Sequence, residues 1–186
     1  MEKSLIIIAS PSGGGKSTVA KHLLKVFTLE FSISATTRTK RPGEEHGREY
    51  YFISNDEFKY KIENEEFVEY EEIFGNQYGT LKSEIDKALL NNRKLIFDID
   101  VYGALSLKMF YPEHTLLIFL SPPNIDLLEE RLRNRNTESE EQIQARISRA
   151  KMEMEKAPNF DYVIVNDVLE ETLKKVESII RKNISK

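Results

Sequence analysis

The sequence predicts an α/β fold in which a parallel β-sheet carries helices on both faces. Two observations support this. Short apolar runs suited to buried strands alternate with longer stretches whose apolar residues recur every three or four positions. The first run, Leu5-Ile6-Ile7-Ile8, leads directly into Ala9-Ser10-Pro11-Ser12-Gly13-Gly14-Gly15-Lys16-Ser17-Thr18, a glycine-rich loop opening into a helix.

That loop is read as a cradle for nucleotide phosphates. Glycine lets the backbone come close and turn its N–H groups inward, and a helix starting near Lys16 aims its positive end at the same anion. Lys16 adds a mobile cation for the outer phosphates, and Ser17 is placed to offer its hydroxyl to Mg²⁺. The strict spacing has glycine where Ser10 stands, five positions before Gly15. A small residue there still fits the curl of the loop. The plainer alternative is a Gly/Ser-rich turn before an ordinary helix.

The remaining elements follow from periodicity and caps. Val19, Leu23 and Phe27 mark one face of the first helix, and Phe31-Ser32-Ile33-Ser34 alternates as a short strand. Residues 35–48 form a polar loop whose Arg38, Lys40 and Arg41 suit an anionic contact. Tyr50 to Ile53 is strand-like, Ser54 and Glu57 form a capping box for a helix to about Asn64, and Phe67 to Tyr70 is strand-like again. Gly75 to Thr80 reads as turn-rich, ahead of a helix with Leu81, Ile85 and Ala88 on one side. Lys94 to Asp100 is a buried strand ending in acids, and Val101 to Phe110 a helix. Thr115 to Leu120 is a strand, after which Asn124 caps a helix carrying Ile125, Leu128 and Leu132. Ser139 and Gln142 repeat the capping signature before a helix with Ile143, Ile147, Ala150 and Met154, which Pro158 ends. Tyr162 to Val165 is the last strand, and Leu169, Leu173, Val176 and Ile180 mark the closing helix.

Composition narrows the function. The 186 residues hold 27 Lys and Arg against 31 Asp and Glu, a net charge of −4, which argues against a broad nucleic-acid surface or a polybasic membrane anchor. No cysteine occurs, so disulfides, thiolate metal sites and cysteine nucleophiles are excluded. The first apolar run is too short for a signal-peptide core, and no segment nears the roughly 20 apolar residues a spanning helix needs. A soluble cytoplasmic protein is expected, forming one folding unit.

A second set of residues supplies a resemblance. Ser34-Ala35-Thr36-Thr37-Arg38-Thr39-Lys40-Arg41-Pro42-Gly43-Glu44 and Gly75-Asn76-Gln77-Tyr78-Gly79-Thr80, together with the phosphate loop, resemble the guanylate kinase family. Phe97-Asp98-Ile99-Asp100 with Gly103, Arg135 to Glu138, and Val163-Ile164-Val165-Asn166-Asp167 resemble further motifs of that family in the same order. The resemblance covers essentially the whole chain.

It implies a P-loop kinase-type sheet over residues 1–33 and 91–186, an inserted GMP-binding lobe over 34–90, and a helical lid over about 124–150. The implied reaction is Mg²⁺-dependent transfer of the γ-phosphoryl group of ATP to GMP or dGMP. Ser10, Pro11, Ser12, Gly13, Gly14, Gly15, Lys16, Ser17, Thr18, Arg135 and Asn166 would bind ATP. Ser34, Arg38, Arg41, Tyr50, Glu69, Tyr78, Thr80 and Asp100 would bind GMP. Lys16, Arg38, Arg131, Arg135 and Arg146 would be catalytic, with Ser17 on the metal and Asp98 reaching it through water.

Group by group the chemistry agrees. A carboxylate suits the N1–H and amine donors of guanine, a hydroxyl suits its O6, and arginine forks suit a phosphate carrying about two negative charges. Plainer roles are a solvated charge for Arg38 and Arg41, ring packing for Tyr50 and Tyr78, and helix capping for Asp98 or Asp100. Arg133 and Arg149 read as surface helix charges. The expected partners are small nucleotides, with neither nucleic acid nor membrane, and a monomer or weak homo-oligomer. A kinase for another nucleoside monophosphate and a guanylate-kinase-like protein-interaction module are the alternatives. Tyr102, Asn134 and Asn136 depart from the family pattern.

Overall fold

The computed structural model describes residues 2–11, 14–73, 75–133 and 140–184. In chain order its elements begin with β1 (Leu5–Ala9), α1 (Lys16–Val26), β2 (Glu30–Phe31), β3 (Ala35–Thr36), β4 (Tyr51–Phe52) and α2 (Asn55–Glu63). β5 (Phe67–Ile73), β6 (Asn76–Leu81), α3 (Lys82–Leu90), β7 (Leu95–Phe97) and α4 (Val101–Phe110) follow. β8 (Thr115–Ser121), α5 (Ile125–Arg133), α6 (Glu140–Met154), a 3₁₀ turn (Ala157–Asn159), β9 (Tyr162–Val165) and α7 (Leu169–Asn183) complete the chain.

Five strands form a parallel sheet in the order β2-β7-β1-β8-β9. The alternation of a strand explains how both faces are filled. Leu5, Ile7 and Ala9 of β1 point one way, joining Phe97, Leu117 and Phe119 under Ile85 and Ala88 of α3 and Ala104 and Leu107 of α4. Ile6 and Ile8 point the other way, joining Leu116, Ile118 and Leu120 under Val19 and Leu23 of α1 and Val176 and Ile180 of α7. Strands buried on both sides are dominated by apolar residues, so β1 and the Leu116 to Leu120 stretch of β8 read as unbroken hydrophobic runs.

Between α1 and β7 the chain builds a second, four-stranded sheet in the order β4-β3-β6-β5. Its core is small: Ala35, Phe58, Phe67 and Leu81, with Tyr51, Ile53 and Ile62 packed against it. Ser54 caps α2 by accepting the Glu57 N–H, as the capping box predicts. Helices α5 and α6 have their own cluster of Leu128, Ile143, Ile147 and Ala150, and Asn124 accepts the Leu127 N–H at 2.7 Å to start α5.

Several expected boundaries need correction. The strand over Phe31 to Ser34 shrinks to Glu30–Phe31, because it is an edge strand paired only with β7 and Phe31 is already half exposed. β7 stops at Phe97, where pairing with β1 ends, so Asp98 to Asp100 form a loop. The segment Gly75 to Thr80 is mostly strand β6, not turn. Only Gly75, at φ +74°, makes the turn, and Gly79 lies within the strand because the Phe67 ring covers it. A Cβ at Gly79 would sit 2.8 Å from that ring. The capping residue Ser139 lies outside the described residues.

Phe58 is fully buried and stacks on Phe67 at 4.5 Å between centroids. Phe58→Ala should remove roughly 3 kcal/mol from the lobe's stability. Hydrogen exchange should show the amides of β3, β5 and β6 losing protection while those of β1 and β8 keep theirs.

Candidate active site

Ile7 lies beside Phe97 in parallel register, so the loop after β1 and the loop after β7 leave the sheet at the same edge. Crevices at the carboxyl ends of parallel strands are where such sheets take ligands. Gly15 is the N-cap of α1 with φ +94°, a left-handed backbone that glycine adopts without strain. It also has no room for a side chain, since a Cβ would meet Asn166 Nδ2 at 2.6 Å. Asn166, buried just beyond β9, donates to the Gly14 carbonyl at 2.7 Å and so pins the loop. Gly14 packs equally tightly, its absent Cβ lying 2.7 Å from Ser10 Cβ. Ser10, at the position where the strict spacing has glycine, is buried and directs its hydroxyl to the Pro11 carbonyl.

On the first turn of α1, Lys16 Nζ pairs with Asp98 Oδ1 at 2.8 Å, and the Ser17 hydroxyl donates to Asp98 Oδ2 at 3.2 Å. Thr18 follows on the exposed side of that turn. Asp100 caps α4, its Oδ1 accepting the Gly103 N–H at 2.7 Å. Asp98 therefore faces the lysine and hydroxyl, while Asp100 faces away from them toward the second sheet.

From the second sheet, Glu69 on β5 accepts the hydroxyl of Thr80 across the β5–β6 pair. Glu69 and Asp100 flank Gly103, where an added Cβ would lie 3.1 Å from Glu69 Oε2 and 3.2 Å from Asp100 Oδ1. Burial pushes the Glu69 carboxyl up to about 7, and the nearby Asp100 and Glu71 add to the rise against the Thr80 hydrogen bond. Tyr50 and Tyr78 meet edge to face at 5.9 Å. The Arg38 guanidinium lies over the Tyr50 ring at 5.5 Å and is tied to Glu44 at 2.7 Å, which raises its pKa.

These parts enclose one cleft of about 400 Å³, lined among others by Lys16, Ser34, Tyr50, Glu69, Glu71, Tyr78, Asp98 and Asp100. Residues from both sheets thus share one cavity. Arg41 is exposed at the outer turn of its loop, where Glu44 accepts its backbone N–H at 2.8 Å. Arg131 lies on α5, and Arg146, on α6, is not among the lining residues of the cleft. Ser12, Gly13, Asn134, Arg135 and Asn136 lie outside the described residues.

Arg149 and Glu71 were missed as site residues. Arg149, expected to be a surface charge, reaches from α6 to Asp100 Oδ2 at 2.6 Å and Glu71 Oε2 at 3.1 Å. Its Nε bonds the buried Glu153 at 2.9 Å. Extending the expected strand past Tyr70 would have placed Glu71 on the same face as Glu69. Arg133, by contrast, stays an exposed charge that joins Glu129 and Glu140.

The chain matches the family model described as guanylate kinase over residues 2–183. It is 47% identical over 185 residues to a guanylate kinase of Porphyromonas gingivalis, covering 98% of each chain. With a guanylate kinase of Chlorobium luteolum it shares 44% identity over 173 residues, 92% of this chain and 88% of that one. A solved guanylate kinase from Anaplasma phagocytophilum aligns with a TM-score of 0.74 and 32% identity, covering 100% of this chain and 88% of that one.

The carboxyl of Glu69 generates a stability prediction. Its pKa is higher folded, about 7, than the ordinary 4.5, so the folded state keeps a proton that the unfolded chain has released. That contribution is complete below about pH 4.5 and disappears as pH rises through 7. Glu69→Gln, which mimics the protonated form, should therefore match the parent near pH 4 and exceed it by roughly 3 kcal/mol above pH 7. Urea unfolding of both proteins at pH 4 and pH 8 measures the difference.

Proposed function

The chain belongs to the guanylate kinase family, and from that premise we propose how its residues divide the work of a nucleoside monophosphate kinase. The reaction is transfer of the γ-phosphoryl group of ATP to GMP, or dGMP, giving ADP and GDP. The observation that supports the division is the single cleft joining Lys16 and Asp98 of the central sheet to Ser34, Tyr50, Glu69 and Tyr78 of the second.

ATP lies with its outer phosphates in the loop from Ser10 to Thr18, where backbone N–H groups and Lys16 meet them. Lys16 exchanges Asp98 for phosphate oxygen when the nucleotide arrives. Residues 34–90 act as the acceptor lobe. Glu69 and Asp100 accept from the N1–H and amine of guanine, and Thr80 and Ser34 supply the hydroxyls beside O6. Adenine presents part of that pattern reversed, so it would leave buried polar groups unpaired. Arg38, Arg41, Tyr50 and Tyr78 gather the acceptor phosphate and fix its oxygen in line with the donor. Glu44 holds Arg38 against the rings until phosphate displaces it.

The donor set fits Mg²⁺. A hydroxyl and a carboxylate converge at Ser17 and Asp98, and no cluster of three or more metal-ligating side chains occurs among the described residues. Mg²⁺ takes few protein ligands and completes its shell with water and phosphate oxygens, so Ser17 would bind it directly and Asp98 through water. When bound, it neutralises charge on the transferring phosphates. The protein forms no covalent intermediate; it aligns the two nucleotides, surrounds the moving group with cations and excludes water. Arg131, Arg135 and Arg146 act from the lid, about 124–150, which closes over ATP, and Asn166 borders the adenine. No helix among the described residues is long and apolar enough to cross a membrane. The reading places the enzyme in the cytoplasm with its nucleotide substrates.

A coupled assay of ADP formation with GMP, AMP, UMP and dTMP tests the assignment; GMP should be strongly preferred, and a preference for AMP would reject it. Lys16→Met should lower kcat by roughly 10²–10³-fold while shifting Tm by no more than about 5 °C, since its ion pair is partly exposed. In isothermal titration, Glu69→Ala should weaken GMP far more than ATP; equal losses for the two nucleotides would contradict the site map.

A further inference from the structure

The bond from Arg149 to Asp100 is unlike the other contacts of the cleft, because it arises from a helix of the lid and ends on an acid of the acceptor site. Both Asp100 oxygens are held: Oδ1 by the Gly103 N–H at 2.7 Å, Oδ2 by Arg149 Nη2 at 2.6 Å. A carboxylate has about four acceptor positions, so two hydrogen bonds fix its plane and leave lone pairs free for a ligand. The same Nη2 reaches Glu71 on β5 at 3.1 Å, and Nε reaches Glu153 at 2.9 Å. Glu153 lies one turn further along α6 and is only 4% exposed, which anchors the middle of the arginine. One guanidinium therefore joins α6, the loop after β7 and strand β5.

The electrostatic setting gives this bridge a purpose. Glu69, Glu71, Asp100 and Glu153 crowd one side of the cleft, and burial raises the carboxyls of Glu69, Glu71 and Glu153, favouring their neutral forms. An acid whose plane is not fixed cannot meet two donors of a base in line. The planar fork of arginine can hold several carboxylate oxygens at once, where the compact lysine head cannot do so in one plane.

We propose that Arg149 is a positioning residue for acceptor recognition: it aims Asp100 at the base of GMP and, through Glu71, couples the acceptor lobe to the helix that carries Arg146. The proposal rests on the reading of Asp100 as a guanine contact. It makes Arg149 a residue of the acceptor side although it lies on the lid, so its loss harms GMP capture and spares ATP capture.

Steady-state kinetics with each nucleotide varied in turn tests this. Arg149→Met should raise KM for GMP about tenfold, the worth of one charge-assisted hydrogen bond, and change KM for ATP less than twofold. Arg149→Lys should recover part of the loss. In an Asp100→Asn background, Arg149→Met should add less than twofold, because the two act through one contact. If Arg149→Met does not fold, Arg149→Met with Glu153→Gln removes the buried acid left alone, and the same split is expected. A fall in kcat with KM for GMP unchanged, no kinetic effect, or full additivity with Asp100→Asn would each overturn the proposal. An Asp100→Asn protein with unaltered KM for GMP would overturn the guanine reading of Asp100 itself and the proposal with it, whereas a raised KM there with a silent Arg149→Met would fault Arg149 alone.

Discussion

With Ile7 and Phe97 side by side in parallel register, the chain leaves two buried strands at the same edge of the sheet, and the phosphate loop and the acids Asp98 and Asp100 come within side-chain reach. The register is secured by burial on both faces: slipping β7 by one residue would turn Phe97 from the cluster under α3 and α4 to the cluster under α1 and α7. Packing deep in the sheet therefore determines the position of Lys16 relative to Asp98.

The two acids then take different roles from neighbours only two residues apart. Asp98 turns to the lysine and serine that open α1, and Asp100 turns to the amide at Gly103 and to Arg149. One cleft thus has a cationic, hydroxyl-bearing end suited to phosphate and a carboxylate-rich end suited to a base with hydrogen-bond donors. Glycine keeps each end compact. A side chain at Gly103 would push Glu69 and Asp100 apart, and one at Gly15 would displace Asn166 from the loop.

Much of this was legible in the sequence. Buried strands announce themselves as apolar runs, and Ser54 and Asn124 marked helix starts that the structure keeps. The glycine-rich loop between β1 and α1 was readable because its glycines, lysine and serine are contiguous. Failures came where a residue's meaning depends on a distant partner. Gly79 looks like a turn residue until the Phe67 ring is seen to need its bare face. The strand β5 was ended too early, which hid Glu71. Arg149 looked like a solvated helix charge because the acids that it meets are 49 and 78 positions away in the chain. Helical spacing shows its bond to Glu153 and nothing of the rest.

The modest interiors of the appendages bear on heat. Among the described residues, four side chains form the buried centre of the second sheet and four more that of the α5–α6 pair, against the two large clusters that clasp the central sheet. Warming would loosen these small interiors first, since local opening free energy follows buried apolar contact. Catalysis would then fade at temperatures where the sheet is still whole, and cooling would restore it without any refolding of the molecule.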